Sequence, residues 1–210
     1  MTPRTLSPRE ALTVARIVRV NHAGEYGAIR IYRAQIAVAA RRYPDIVPAL
    51  ADMLVHEKRH CALFFDAMPA RHSRPCRVMS LWSHGGALLG RLTALMGRQA
   101  IWTCTAAVEA AVHRHLDDQL HFLQDRDPGL RDLILSIRDE ELAHLHYAQE
   151  RLVARSPVLH GLITFATDAV IWLSTWGDSS RMARDLRLSL AASLTTRDVG
   201  ADRPSPSRSI

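Results

Sequence analysis

Lysine is almost absent from this chain, cysteine is scarce, runs of β-branched residues are few, and the first residues carry no apolar stretch. Of 27 basic residues only Lys58 is not arginine, and against 21 acidic residues they leave a net charge of +6. That balance alone fits a nucleic acid, an anionic membrane surface or no partner at all. The three cysteines, Cys61, Cys76 and Cys104, are odd in number and form no CxxC. This argues against a disulfide framework and for a reducing compartment. Few β-branched runs favour helices over a sheet. Met1 to Glu10 holds charge and two prolines, so it does not read as a signal peptide. What is present is a 210-residue chain, 48% hydrophobic, long enough for one domain with a full core.

Within it stands Glu141-x-x-His144, and a second copy, Glu57-x-x-His60. Residues three apart share a helix face, so a carboxylate and an imidazole so placed can grip one ion from one side. With 11 histidines and 7 glutamates, chance gives only about 0.4 such pairs, so two copies are a modest excess for so short a motif. The spacing says more. Glu25 precedes Glu57 by 32 residues, and Glu109 precedes Glu141 by the same 32. Moved 84 positions along, residues 25, 57 and 60 become 109, 141 and 144, which is how an internal repeat announces itself. The order Glu, Glu-x-x-His, Glu, Glu-x-x-His is the donor set of a two-metal carboxylate site in a four-helix bundle. A lone mid-helix glutamate usually faces water and a lone Glu-x-x-His is usually a surface pair. The surface reading leaves the shared offset, and the apolar faces on which all six fall, unexplained.

Taken in order, Ser7-Pro8-Arg9-Glu10 reads as a capping box opening a helix that runs to Arg41 or Arg42. Gly24 and Gly27 flank Glu25, which predicts a close backbone approach or a kink, since each costs about 1 kcal/mol inside a helix. A second helix is expected over about 46–67 and an apolar one over 75–97. Two more follow over about 98–124 and 129–154, the latter opened by Asp127-Pro128 as cap and first turn, then a second apolar helix over 157–176. From Gly177 to Leu194 the pattern continues as a basic amphipathic helix, and 195–210 reads as a disordered tail. Residues 1–194 are thus expected to form one all-α domain. Its bundle helices are about 8–42, 46–67, 98–124 and 129–154. The apolar pair would rest in a membrane interface or form a hydrophobic lid.

Four carboxylates with two imidazoles suit iron or manganese. Glu57 and Glu141 are assigned as bridges, Glu25 and His60 to one ion, Glu109 and His144 to the other. Two divalent ions against four carboxylates leave a buried site near neutral, whereas the carboxylates alone would be very costly to bury. Glu140, Glu150, His146 and the Asp118/His121 pair read as solvated. His22 and His115 are either groups that orient ligands or satisfied core histidines. Cys61 and Cys104 read as inert core thiols.

Several of these stretches resemble a known family. Arg16-Ile17-Val18-Arg19-Val20-Asn21-His22-Ala23-Gly24-Glu25-Tyr26-Gly27-Ala28 with Arg30-Ile31-Tyr32 is similar to the signature of the demethoxyubiquinone hydroxylases of ubiquinone biosynthesis. So are Glu57-Lys58-x-His60, Cys104-Thr105-x-Ala107-Val108-Glu109 and Arg138-Asp139-Glu140-Glu141-Leu142-x-His144. The resemblance covers about residues 14–175. It implies a ferritin-like fold and a non-haem di-iron monooxygenase with two iron ions, dioxygen as co-substrate and NADH as reductant. It also implies hydroxylation of the quinone ring of a polyprenylated intermediate, by a peripheral protein on the cytoplasmic side of the cell membrane. No nucleic-acid partner is expected; a homo-oligomer or other ubiquinone-biosynthesis proteins would be compatible partners. The motif-matched ligands are the same six residues. Two departures stand out: the family usually has Asp where this chain has Asn21, and His-His-Tyr where it reads Arg114-His115-Leu116. The chain also runs on beyond about Gly177. Other classes to weigh are a ferritin-like iron oxidase or store, another membrane-associated di-iron hydroxylase, and a helical scaffold whose glutamates form salt bridges.

Overall fold

A computed structural model describes residues 5–154 and 156–201, without the side chains of 195–201. The described residues form helices and turns and no strand. The order is α1 (Pro8–Arg42), α2 (Val47–Asp66), α3 (Met79–Met96), α4 (Arg98–Leu123), α5 (Pro128–Glu150), α6 (Pro157–Thr175) and α7 (Asp178–Ala201), with 3-10 turns at Pro44–Ile46 and Pro69–Arg71. The all-α bundle expected from the sequence is what the chain forms.

The start signals act as read. Ser7 and Glu10 make the reciprocal capping box of α1, a device contributing about 1 kcal/mol. Asp127 caps α5 by accepting from the Leu130 N–H at 2.9 Å, and also holds Arg71 through two hydrogen bonds of 2.7 and 2.8 Å. The turn after α2 is thereby tied to the start of α5. Boundaries differ in three places. The third helix begins at Met79 rather than 75, because residues 74–78 stay irregular after the left-handed His72. The fifth ends at Glu150 rather than 154. The seventh reaches Ala201, so the tail expected from Thr195 begins as helix; residues 202–210 lie outside the described residues.

Helix α1 packs along both α2 and α3, and α4 along α5 and α6. Two larger apolar clusters make up most of the core, beside a smaller one of Ile31, Cys104, Ala107 and Ile163. One joins Ile17 and Val18 of α1, Phe64 of α2, Leu116 and Leu123 of α4, and Ile134 and Ile137 of α5. The other joins Tyr32, Leu50, Met53, Ile101, Trp102 and Leu145. On every bundle helix the residues from the repeat motif lie between the two clusters or at the edge of one. The bundle is therefore a polar layer held between two apolar plugs.

The contact of α1 with α3 is set by small residues. A Cβ built on Gly86 would stand 2.6 Å from the Gly27 carbonyl oxygen, and one on Gly90 would overlap the Ile31 carbonyl. The Gly86-x-x-x-Gly90 spacing puts both on one face, so two backbones can touch there. Gly27 has the Trp82 ring 3.1 Å from its Cβ position, as a close approach requires. Gly24 does not: nothing lies within 4 Å of its Cβ position, because it borders open space instead.

Candidate metal centre

Helix α1 contributes Glu25, α2 Glu57 and His60, α4 Glu109, and α5 Glu141 and His144. All six are buried, none more than 8% exposed. Donor atoms of Glu25, Glu57, His60 and Glu141 lie within 4.8 Å of one another, and so do those of Glu57, Glu109, Glu141 and His144. Glu57 and Glu141 belong to both groups.

The imidazoles face inward through Nδ1. His60 Nδ1 lies 2.7 Å from Glu141 Oε1 and 3.7 Å from Glu25 Oε2. His144 Nδ1 lies 3.4 Å from Glu57 Oε1 and 3.9 Å from Glu109 Oε1. Yet Nδ1 of both histidines and Oε1 of Glu57 and Glu141 have no hydrogen-bond partner of good geometry. Buried polar atoms are almost always partnered, and four unpartnered atoms aimed at one another suit a cation between them. The carboxylates report the same deficit. Burial, then the Glu141 charge, raises Glu25; burial with Glu141 and other carboxylates pushes Glu57 and Glu109 well above the ordinary range. Burial would raise Glu141 too, but the His60 imidazole outweighs it and holds that carboxyl below its usual value. Burial would lower His60, but Glu141 and Glu25 carry it up to about 10; His144 is lowered by burial. Donor chemistry, burial and spacing all suit two metal ions.

Three contacts around the six escaped the sequence reading. Glu140, read as solvated, instead brings Oε2 to 3.1 Å from His60 Nε2 and accepts from Arg59. His56 brings Nδ1 to 3.0 Å from His144 Nε2, with the two rings stacked. The Tyr32 hydroxyl donates to Glu109 Oε1 at 2.9 Å. A signal existed for the first two, since His56 and Glu140 each immediately precede a repeat glutamate. His146 and Glu150 are exposed, as expected. His22 and His115 touch none of the six: His22 packs on Phe65 with its Nδ1 unpartnered, and His115 Nε2 stands 3.0 Å from Asp168 on α6. Burial pushes the Cys61 thiol up to about 11 and Cys104 to about 12, so both are inert thiols at neutral pH.

On the side away from the imidazoles the four carboxylates border a mostly apolar cavity of about 340 Å³. Its walls come from α1, α3, α4 and α6, with Gly24, Ile31, Trp82, Leu89, Val108 and Val170 among them. Its polar wall is an amide pair. Asn21 Nδ2 donates to Gln119 Oε1 at 2.8 Å, and Gln119 Nε2 donates to Asn21 Oδ1 at 3.0 Å. An aspartate at position 21 could only accept, and would bring a further negative charge to a wall that already holds four carboxylates.

The sequence signature described as ubiquinone biosynthesis protein COQ7 matches residues 12–174. The 3-demethoxyubiquinol 3-hydroxylase of Rhodospirillum rubrum is 39% identical over 170 residues, covering 80% of each chain. The mitochondrial NADPH-dependent 3-demethoxyubiquinone 3-hydroxylases are similar as well. That of Dictyostelium discoideum is 38% identical, over 77% of this chain and 76% of its own, and that of Homo sapiens 37% identical over 81% of each. By signature and by these relatives alike, the chain belongs to the COQ7 family of ubiquinone biosynthesis proteins.

Proposed function

We propose that the protein is a di-iron monooxygenase that hydroxylates the ring of a demethoxyubiquinone or demethoxyubiquinol intermediate. The single observation that carries this is the junction of two environments: a carboxylate–histidine cluster fit for two ions, opening on an apolar cavity fit for a lipid-soluble ring. The relatives named above bear the names of enzymes acting on that substrate. Glu25, Glu57, His60, Glu109, Glu141 and His144 would hold the iron, Glu57 and Glu141 between both ions. When bound, the iron pair supplies electrons for the reduction of dioxygen.

The chain's own residues do the rest. The apolar walls exclude water and take the flat ring. Asn21 and Gln119, having used one N–H each on the other, keep a second N–H for a ring oxygen. The isoprenoid tail leaves between α3 and α6, past Leu81 and Val170. Helix α6, of mean hydropathy 1.4, is the one described helix long and apolar enough to cross a membrane. It exposes Leu162, Phe165, Trp172 and Leu173, and α3 exposes Leu81, Leu88 and Leu92. Together they form a face for the lipid surface from which such a substrate must come. We place the protein on the cytoplasmic side of the cell membrane, bound peripherally. Its reductant is a reduced nicotinamide, NADH in our reading; the mitochondrial relatives are named for NADPH.

The test is rescue of a cell blocked at this ring hydroxylation. The unaltered chain should restore ubiquinone and Glu141→Ala should not. Iron-loaded protein that never hydroxylates the demethoxyquinol would overturn the assignment and favour an iron oxidase.

A further inference from the structure

The two halves that the 84-residue shift superimposes are alike in the six ligating positions and unlike in what surrounds them. Position 32 maps to 116 and position 56 to 140. Tyr32 donates its hydroxyl to Glu109 at 2.9 Å, but its counterpart is the buried Leu116, which can donate nothing to Glu25. His56 stands at 3.0 Å from the outer nitrogen of His144, but its counterpart Glu140 stands at 3.1 Å from the outer nitrogen of His60. Each supporting residue thus serves the histidine of the opposite half, one through an imidazole and the other through a carboxylate.

Both differences act in the same direction. With Nδ1 turned inward to a metal ion, each histidine would carry its proton on Nε2 and donate it outward. A carboxylate acceptor draws that proton harder than an imidazole does, and so makes the ligand nitrogen a stronger donor to a metal. Arg59 shares the charge of Glu140 and holds it in place. A hydroxyl hydrogen bond, by contrast, draws charge out of a carboxylate and weakens it as a donor. The strengthened imidazole and the unweakened carboxylate fall together, on Glu25 and His60. The weakened carboxylate and the less supported imidazole fall together, on Glu109 and His144. Resting on the di-metal reading above, we infer that the two metal positions are unequal, and that the ion held by Glu25 and His60 binds more tightly than the one held by Glu109 and His144. Glu140 and Tyr32 are the positioning residues that make them so.

The experiment uses the full chain and Co(II), titrated without oxygen against a competing chelator and followed by its visible absorption. His144→Ala keeps the Glu25/His60 end, and His60→Ala keeps the other. The first should retain one ion about ten-fold more tightly or better than the second. Adding Glu140→Gln to the first should bring the two within about three-fold. Equal affinities in the two single variants would overturn the inference, as would a difference that Glu140→Gln leaves unmoved. Circular dichroism and a thermal melt accompany each variant. Where a histidine variant does not fold, single substitutions in the otherwise unaltered chain decide. Glu140→Gln should weaken the tighter step, and Tyr32→Phe should strengthen the weaker one; two steps that neither substitution moves would overturn it. An unaltered chain that takes up no Co(II) would instead sink the di-metal reading itself, so the two failures are distinct.

Discussion

On one side of the carboxylate layer, among α1, α3, α4 and α6, the lining is Gly24, Ile31, Trp82, Val108 and Val170. On the other, between α2 and α5, it is His56, Arg59 and Glu140. The first side presents the carboxylates to an apolar space. The second presents the outer nitrogens of two histidines to partly exposed polar groups. The difference teaches how labour is divided across one layer of side chains. An apolar wall admits a lipid-soluble ring and keeps water from it. A polar wall can fix which nitrogen of each histidine turns inward to the carboxylates. Substitutions on the two sides should therefore fail in different ways.

The largest effect belongs to the wall itself. Gly90→Ala sets a methyl group against the Ile31 backbone, and backbone yields less readily than a flexible side chain. We expect a stability loss of more than about 3 kcal/mol, above the common range for overpacking, read by denaturant melt; a loss under about 1 kcal/mol would show that α3 can shift. Next comes Gly24→Leu, whose Cβ would meet nothing within 4 Å at a position that lines the cavity. Removing a mid-helix glycine should raise the melting temperature, while kcat/KM for the quinol falls about ten-fold, or about 1.4 kcal/mol, with metal content unchanged. A fall in bound metal would mean that the two sides are not separable.

The smallest effect is the response of the metal-free chain to pH. Glu57 and Glu109 carry folded pKa values well above 4.5, from burial and neighbouring carboxylates. Their stabilisation is present below that value and is lost as pH rises above it. His60, with burial opposed and overcome by Glu141 and Glu25, stands at about 10 against 6.5 unfolded, so its contribution is lost as pH rises through that interval. Glu141 is held low and acts oppositely, losing its contribution as pH falls through the ordinary carboxylate range, and His144, lowered by burial, likewise loses stability as pH falls below 6.5. Between pH 5 and 9 the first group prevails, and the metal-free melting temperature should fall as pH rises. Two divalent ions replace those protons, so the metal-loaded chain should show a flat or rising profile. Identical profiles would contradict the charge account.

The sequence made the six residues of the candidate site legible because chemically identical residues recur at one offset. It also showed the helix starts, where capping side chains announce themselves at Ser7 and Asp127. The outer contacts stayed hidden for the same reason: the shift carries His56 to Glu140 and Tyr32 to Leu116, and unlike residues do not look like a repeat. Glu140 read as solvated because its helix position is on the rim, and only the fold shows that the rim of α5 faces His60. The close approach expected at Gly24 and Gly27 is met at Gly27 but not at Gly24, and it recurs at Gly86 and Gly90, since which glycine meets a neighbour depends on the path of α3. Helix α7 was legible as basic and amphipathic. That its first turn is buried was not, because it depends on Asp178 reaching Arg16 at 2.8 Å across the fold.

The most direct measurement is the iron content of the full chain after loading with Fe(II) in the absence of oxygen. Two ions per chain are expected, with at most one weakly held in Glu141→Ala, because that carboxylate serves both positions. An unaltered chain that binds no iron, or a Glu141→Ala variant that still binds two, would contradict the account.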